Sequence, residues 1–220
     1  MTTNAVVIEP PESATASVIW LHGLGSDGHD FEPIVPQLPK NLTTHTRFIF
    51  PHAPHRPITI NGGMIMPGWY DVFGMDLTVK QDAQGIRDSE KILCNYIAEE
   101  MERGISTKRI VLAGFSQGGA IVLHTGLRYS HPLGGIVALS TYLPLADTVE
   151  NEIHTANQQI PIFIAHGQAD PVIAFEHGKN SAVKLEKLGY PVEWQSYNME
   201  HNVNMDEIFE IGRWLSVRLP

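Results

Sequence analysis

Seven short runs of β-branched, aromatic and other apolar residues recur along this chain. Longer segments lie between them, in which apolar residues return every three or four positions. The runs are AVVIEP (5–10), SVIWLHG (17–23), TRFIFPHAP (46–54), RIVLAGF (109–115), GGIVALST (134–141), IPIFIAHG (160–167) and VEWQSYNM (192–199). Several have no polar alternation, as expected of strands covered on both faces. This order of strands and helical segments predicts an α/β fold, with a mostly parallel central sheet and helices on both faces. A length of 220 residues suits one domain with a well-buried core.

Among the helical segments, residues 80–103 place Ile86, Leu93, Ile97 and Met101 on one face. Cys94, the only cysteine, falls on the apolar side of that helix. An internal disulfide is thereby excluded, and the residue reads as a buried structural thiol. Further helices are expected over 28–38, after 117, over 175–189 and over 205–219. The last begins after Asn204 with Glu207 three positions on, a capping-box-like start, and places Met205, Ile208, Phe209 and Leu215 on one side. Residues 55–79, HRPITINGGMIMPGWYDVFGMDLTV, have no sustained period and read as a long ordered loop. Its apolar residues Met64, Ile65, Met66, Trp69 and Phe73 either wall a groove for an acyl chain or cap the core.

Charge narrows the class of function. With 15 Lys+Arg against 24 Asp+Glu the formal charge is −9, so the basic footprint of a nucleic-acid binder is missing. The N-terminal stretch lacks a basic region followed by an apolar core, and no stretch reaches the ~18 apolar residues of a membrane span. A cytoplasmic protein is expected.

The segment LAGFSQGG (112–119) contains GFSQG, a match to G-x-S-x-G, with a strand ending at it and a helical segment opening from it. Such a turn displays a serine at the strand's exit, provided the residues two positions either side carry no side chains. Gly114 and Gly118 meet that condition. A serine needs a base, and the base an orienting acid, to be sought beyond the C-terminal ends of later strands. Asp170 follows the sixth run and His201 the seventh. The order Ser116, Asp170, His201 is that of an α/β-hydrolase triad. Asp147 is the alternative acid, and His166 is read as packing beside the turn that positions Asp170. His45, His52, His55 and His177 share no helical face with a carboxylate, so solvated or core histidines are favoured over a metal site, and no cofactor is expected. In HGLGSDGHDF the glycines at 23, 25 and 28 let an amide near Leu24 point at the serine, with the amide of Gln117 as its partner in an oxyanion hole. A phosphate-cradling loop is disfavoured, because neither G-K-[ST] nor G-x-G-x-x-G with a downstream acid is present.

Seven separated motifs, HGLGSDGHDF, FPHAP, NGGMIMPGWYD, GFSQGGA, LSTYLP, AHGQADPV and YNMEHNV, together resemble the bacterial carboxylesterase and acyl-protein thioesterase family of α/β-hydrolases, from about Ser17 to the C-terminus. The resemblance implies serine hydrolase activity on carboxylic esters and acyl thioesters, including lysophospholipids or S-acylated proteins in some members. It carries over Ser116 as nucleophile, Asp170 as acid, His201 as base and the amides of Leu24 and Gln117 as oxyanion donors, and it makes residues 55–79 an acyl-binding flap. Many relatives place glycine directly before the histidine, where this chain has Glu200. A carboxylate there is expected either to raise the pKa of His201 or to form a surface contact. A dienelactone-type hydrolase would usually present cysteine where Ser116 stands, and a binding module that had lost the chemistry would lack a triad member. The apolar 55–79 segment is also a candidate homodimer surface.

Overall fold

The computed structural model describes residues 4–74 and 80–220, so positions 75–79 of the expected flap lie outside the described residues. In chain order the strands are β1 (Ala5–Ile8), β2 (Ala16–Leu21), β3 (Thr46–Pro51), β4 (His55–Ile58), β5 (Met64–Pro67), β6 (Ile110–Phe115), β7 (Gly135–Leu139), β8 (Ile162–Gly167) and β9 (Val192–Tyr197). The helices are α1 (Lys40–Thr43), α2 (Ala83–Glu102), α3 (Gln117–Arg128), α4 (Val149–Glu152), α5 (Phe175–Lys187) and α6 (Met205–Arg218). Seven strands form the main sheet in the order β1-β3-β2-β6-β7-β8-β9. Only β1 runs antiparallel, against β3.

The absence of polar alternation follows from this arrangement. Successive residues of a strand face opposite sides of the sheet, and in β2 Ile19 and Leu21 join one apolar cluster while Val18 and Trp20 join the other. The first cluster includes Leu93 of α2 and Ile121 of α3; the second includes Ile211 and Trp214 of α6. The central strands are therefore mostly apolar on both faces because they serve two cores, with Ser17, Thr46, Arg47 and His166 as buried polar exceptions.

Every expected main-sheet strand is present, but most end two or three residues before the apolar run does. The surplus residues, among them His22, Gly23 and Thr141, form the exits that build the site. Over 28–38 the expected helix is only a 3-10 run, Glu32–Gln37, which contains Pro33 and Pro36. Proline lacks the N–H that an α-helical ladder requires. The 55–79 loop is also corrected in part, because β4 and β5 pair there as an antiparallel hairpin, from His55↔Pro67 to Ile58↔Met64. Gly62 and Gly63, at φ 66° and 80°, supply its left-handed turn.

Two expected helix faces are corrected as well. In α6 the buried side is Ile208, Ile211, Trp214 and Leu215, while Met205 and Phe209 are 59% and 68% exposed. In α2 Met101 stands partly in solvent at the last turn, while Ile86, Leu93 and Ile97 are buried. Cys94 is half-buried, and burial lifts its thiol pKa to about 11, which keeps it protonated and unreactive.

The start of α6 has half of the expected capping box. Asn204 Oδ1 accepts the Glu207 N–H at 2.9 Å. The Glu207 carboxyl does not reciprocate: it is fully buried, and neither oxygen has a hydrogen-bond partner among the described residues. Burial pushes its pKa from the ordinary 4.5 to about 8. The folded chain therefore keeps this proton to a higher pH than the unfolded chain does. Stability falls as pH rises through that window. Glu207→Gln should match the parent near pH 4.5 and exceed it at pH 8 by on the order of a few kcal/mol. Urea unfolding at the two pH values checks this, and equal gains at both would refute it.

Candidate active site

The C-terminal ends of the parallel strands converge at one rim, and the nucleophile candidate stands at the exit of β6. Ser116 has φ 54° and ψ −119°, a strained conformation for a residue with a side chain. Neighbouring groups hold it there. Its N–H donates to Leu139 O at 2.8 Å, and its carbonyl accepts from Thr141 Oγ1 at 2.7 Å and from the Ala120 N–H at 3.1 Å. A Cβ on Gly118 would lie 2.4 Å from Leu21 O, and one on Gly114 would lie 2.5 Å from the Gly118 carbonyl carbon. The flanking glycines thus let helix α3 start directly against β2.

Asp170 and His201 reach Ser116 from the exits of β8 and β9. His201 Nε2 is 2.9 Å from Ser116 Oγ, and its Nδ1 is 2.7 Å from Asp170 Oδ2. The carboxylate accepts, so Nδ1 carries the proton and Nε2 is left free to accept from the serine hydroxyl. Phe115 packs against the imidazole, with ring centroids 4.7 Å apart. Asp170 Oδ1 accepts the N–H groups of Val172 and Ile173 at 2.8 and 2.9 Å. Burial pushes the Asp170 pKa up, but hydrogen bonds from His166, His201 and the Ile173 N–H outweigh it and hold the group well below the usual carboxylate range. The acid is therefore charged at neutral pH.

His166 is more than a neighbour of the turn. Its fully buried Nε2 donates to Ile173 O at 2.9 Å and lies 3.4 Å from Asp170 Oδ2. Asp170 consequently stands between two imidazoles. The alternative acid, Asp147, is exposed, and the His201 Nδ1–H is directed at Asp170 instead. Glu200 keeps its side chain in solvent while its carbonyl rests against Gly167, where a Cβ would come within 2.2 Å.

His22 organises the loop after β2. Its Nδ1 donates to Gly23 O at 2.7 Å and its Nε2 accepts the Ala53 N–H at 3.1 Å, so it bridges the exits of β2 and β3 as a neutral ring. Burial lowers its pKa, in keeping with that form. Gly25, at φ 78°, donates its N–H to Pro67 O at 2.8 Å and so ties this loop to the hairpin. Leu24, Ser116 and Gln117 line one cavity of about 240 Å³. Gln117 is the first residue of α3, where backbone N–H groups lack intrahelical partners.

The same cavity corrects the expected groove. Its apolar wall is Ile60, Val72, Val172 and Ile173, together with Tyr70 and Tyr142, and none of Met64, Ile65, Met66, Trp69 or Phe73 belongs to it. Met64 and Ile65 project at the hairpin end, 63% and 69% exposed, and Met66 is half-buried near Gly25. Trp69 is fully buried and donates its indole N–H to His22 O at 2.9 Å. Phe73 lies under Lys80, whose ammonium is 4.4 Å from the ring centroid. The segment has no regular period, so sequence alone could not tell which of its side chains turn inward. The remaining histidines stand apart: His52 Nδ1 accepts the Gly28 N–H at 3.0 Å, and His45 lies 3.6 Å from Glu12. No group of three or more potential metal ligands occurs among the described residues.

A strained serine at a strand-to-helix turn, a histidine between it and a buried carboxylate, and a parallel sheet with one antiparallel edge define an α/β-hydrolase. The comparisons agree. A family model described as phospholipase/carboxylesterase matches residues 2–219, and the chain belongs to that family. Acyl-protein thioesterase 1 of Gibberella zeae is 42% identical over 215 residues, covering 94% of this chain and 92% of that protein. The Yarrowia lipolytica protein of the same name is 41% identical over 216 residues, covering 96% and 95%. Among solved structures, Arabidopsis thaliana SOBER1 superposes with a TM-score of 0.88 at 30% identity, covering 93% of this chain and 99% of that one. Zea mays acyl-protein thioesterase 2 gives 0.87 at 29%, covering 98% and 99%. These two curated relatives are fungal, and the bacterial qualifier of the expected resemblance gains no support from them.

Gln117 also acts through its side chain. Oε1 accepts the Trp69 N–H at 2.7 Å and Nε2 donates to Tyr70 O at 2.6 Å, clamping the chain after the hairpin to the turn that carries Ser116. Gln117→Ala would leave two buried backbone groups unpaired, at about 1–3 kcal/mol each. A fall in the urea midpoint is expected, with Gln117→Glu also destabilised because a carboxylate cannot donate to Tyr70 O.

Proposed function

We propose that this chain is a serine hydrolase that cleaves carboxylic esters and acyl thioesters through an acyl-serine intermediate. The observation that carries the reading is the pair of contacts made by His201, 2.9 Å to Ser116 Oγ and 2.7 Å to Asp170 Oδ2. Ser116 is the nucleophile. As its oxygen attacks the acyl carbonyl, His201 Nε2 takes the hydroxyl proton, and the charged Asp170 stabilises the imidazolium and fixes its orientation. The amides of Leu24 and Gln117 are the oxyanion donors, for which their shared cavity with Ser116 is the support. His201 returns the proton to the departing alkoxide or thiolate. Water, deprotonated by the same nitrogen, then adds to the acyl-serine, and as the bond to Ser116 Oγ breaks His201 passes that proton to the serine oxygen and the acid is released.

The apolar wall beside Ser116 suits an acyl chain, and relatives bear the name acyl-protein thioesterase. A lipid-like ester or thioester, including an S-acylated protein, is the substrate class we favour. No described helix is long and apolar enough to cross a membrane. We place the enzyme's work in the cytoplasm, which the single cysteine suits.

Ser116→Ala should lower turnover of a p-nitrophenyl ester by on the order of 10⁶ with unchanged circular dichroism, and should abolish labelling by a fluorophosphonate. Retained turnover would remove Ser116 from the mechanism. A base that must be neutral to accept the hydroxyl proton requires the parent rate to fall towards acid, and Asp170, held well below the usual carboxylate range, adds no limb of its own. A flat profile from pH 5 to 8 would contradict a histidine base.

A further inference from the structure

The cavity that opens at Ser116 meets two phenols. The hydroxyl oxygens of Tyr70 and Tyr142 are 2.9 Å apart, and the residues are only 3% and 5% exposed. Both are anchored to the groups that hold the nucleophile. Tyr70 O accepts from Gln117 Nε2, and Tyr142 directly follows Thr141, whose hydroxyl holds Ser116 O. Burial pushes both hydroxyl pKa values up, that of Tyr142 to about 12, so the pair stays neutral throughout the working pH range.

Tyr142 is the residue shared by three spaces. It lines the 240 Å³ cavity with Ser116, a gap of 10 Å³ with Tyr70 and Asp71, and a further space of 170 Å³ with Leu143, His177 and Lys184. We read its ring as the partition between them. On the Ser116 side the wall is apolar, and each methylene buried there strengthens binding by roughly fourfold. Beyond the ring, His177 and Lys184 line the space instead. The hydroxyl bond between the phenols ties Tyr142 to Tyr70, which lines the same cavity.

We propose that the Tyr70–Tyr142 pair is the end stop of the acyl cavity and sets the upper limit on acyl-chain length. This rests on the reading of Ser116 as the acyl acceptor. An engineered cavity of about 150 Å³ takes six-carbon benzene, so by the same scale a space of 240 Å³ takes about ten carbons. Chains longer than that are held back unless the partition moves.

The test is a series of p-nitrophenyl esters from two to sixteen carbons, run on the parent and on Tyr142→Ala, with active sites counted by fluorophosphonate titration. In the parent, kcat/KM per titrated site should rise by roughly fourfold per methylene to about eight to ten carbons and fall beyond. Tyr142→Ala should raise the ratio of the sixteen- to the eight-carbon rate by about tenfold or more, because the two larger spaces then join. Tyr142→Phe and Tyr70→Phe, which remove one oxygen each and keep the rings, should shift the ratio in the same direction by a smaller factor. They carry the test if the alanine variant does not titrate. A parent optimum at sixteen carbons, or ratios unchanged in all titrating variants, overturns the end stop while leaving Ser116 in place. If the parent neither titrates nor hydrolyses any ester, the reading of Ser116 fails and the end stop falls with it.

Discussion

A backbone conformation that a serine does not adopt unaided lies at the centre of this structure. The positive φ of Ser116 places it in a sparsely populated region, at a cost of about 1–3 kcal/mol. It persists because β7 accepts its N–H, Thr141 donates to its carbonyl, and helix α3 starts close against β2. The contacts of Gly114 and Gly118 belong to the same constraint. At this point two strands and one helix meet at a separation at which only hydrogen side chains fit.

The other members of the site are positioned with less strain. Asp170 lies in a turn whose N–H groups it accepts, so the loop after β8 folds around its own carboxylate. His201 follows the last strand of the sheet and is held by that carboxylate on one side and the Phe115 ring on another. The acid gains a second imidazole from His166, a residue of β8 itself, whose ring stacks on Trp194 of the neighbouring strand. Rigid strands thus fix the outer partner, and the outer partner fixes the imidazole.

What could be read in the sequence follows from which forces are local. The main-sheet strands were legible because two-sided burial requires uninterrupted apolar runs, and the meeting of residues 116, 170 and 201 followed from the rule that parallel strands exit at one rim. Strand ends were overrun because His22, Ala53 and Thr141 are as buried as the strands they extend. The α6 face was misjudged at Met205 and Phe209 because periodicity does not say how much of an apolar stripe a helix buries. The hairpin of β4 and β5 went unread for another reason: although Gly62 and Gly63 mark its turn, its two short strands show no apolar–polar alternation, and the chain after it is held by partners distant in sequence. Trp69 reaches His22, and its carbonyl accepts from Ser89. The cavity wall depends on the same long-range contacts, so no spacing along the chain announces Tyr70 beside Tyr142.

The bond from the Gly25 N–H to Pro67 O joins two parts of the molecule usually considered apart. Leu24, immediately before it, borders the cavity beside Ser116, and Pro67 closes the hairpin whose Met64 and Ile65 reach into solvent. The projecting arm and the loop that borders the cavity therefore share one anchor point, so neither is placed independently of the other.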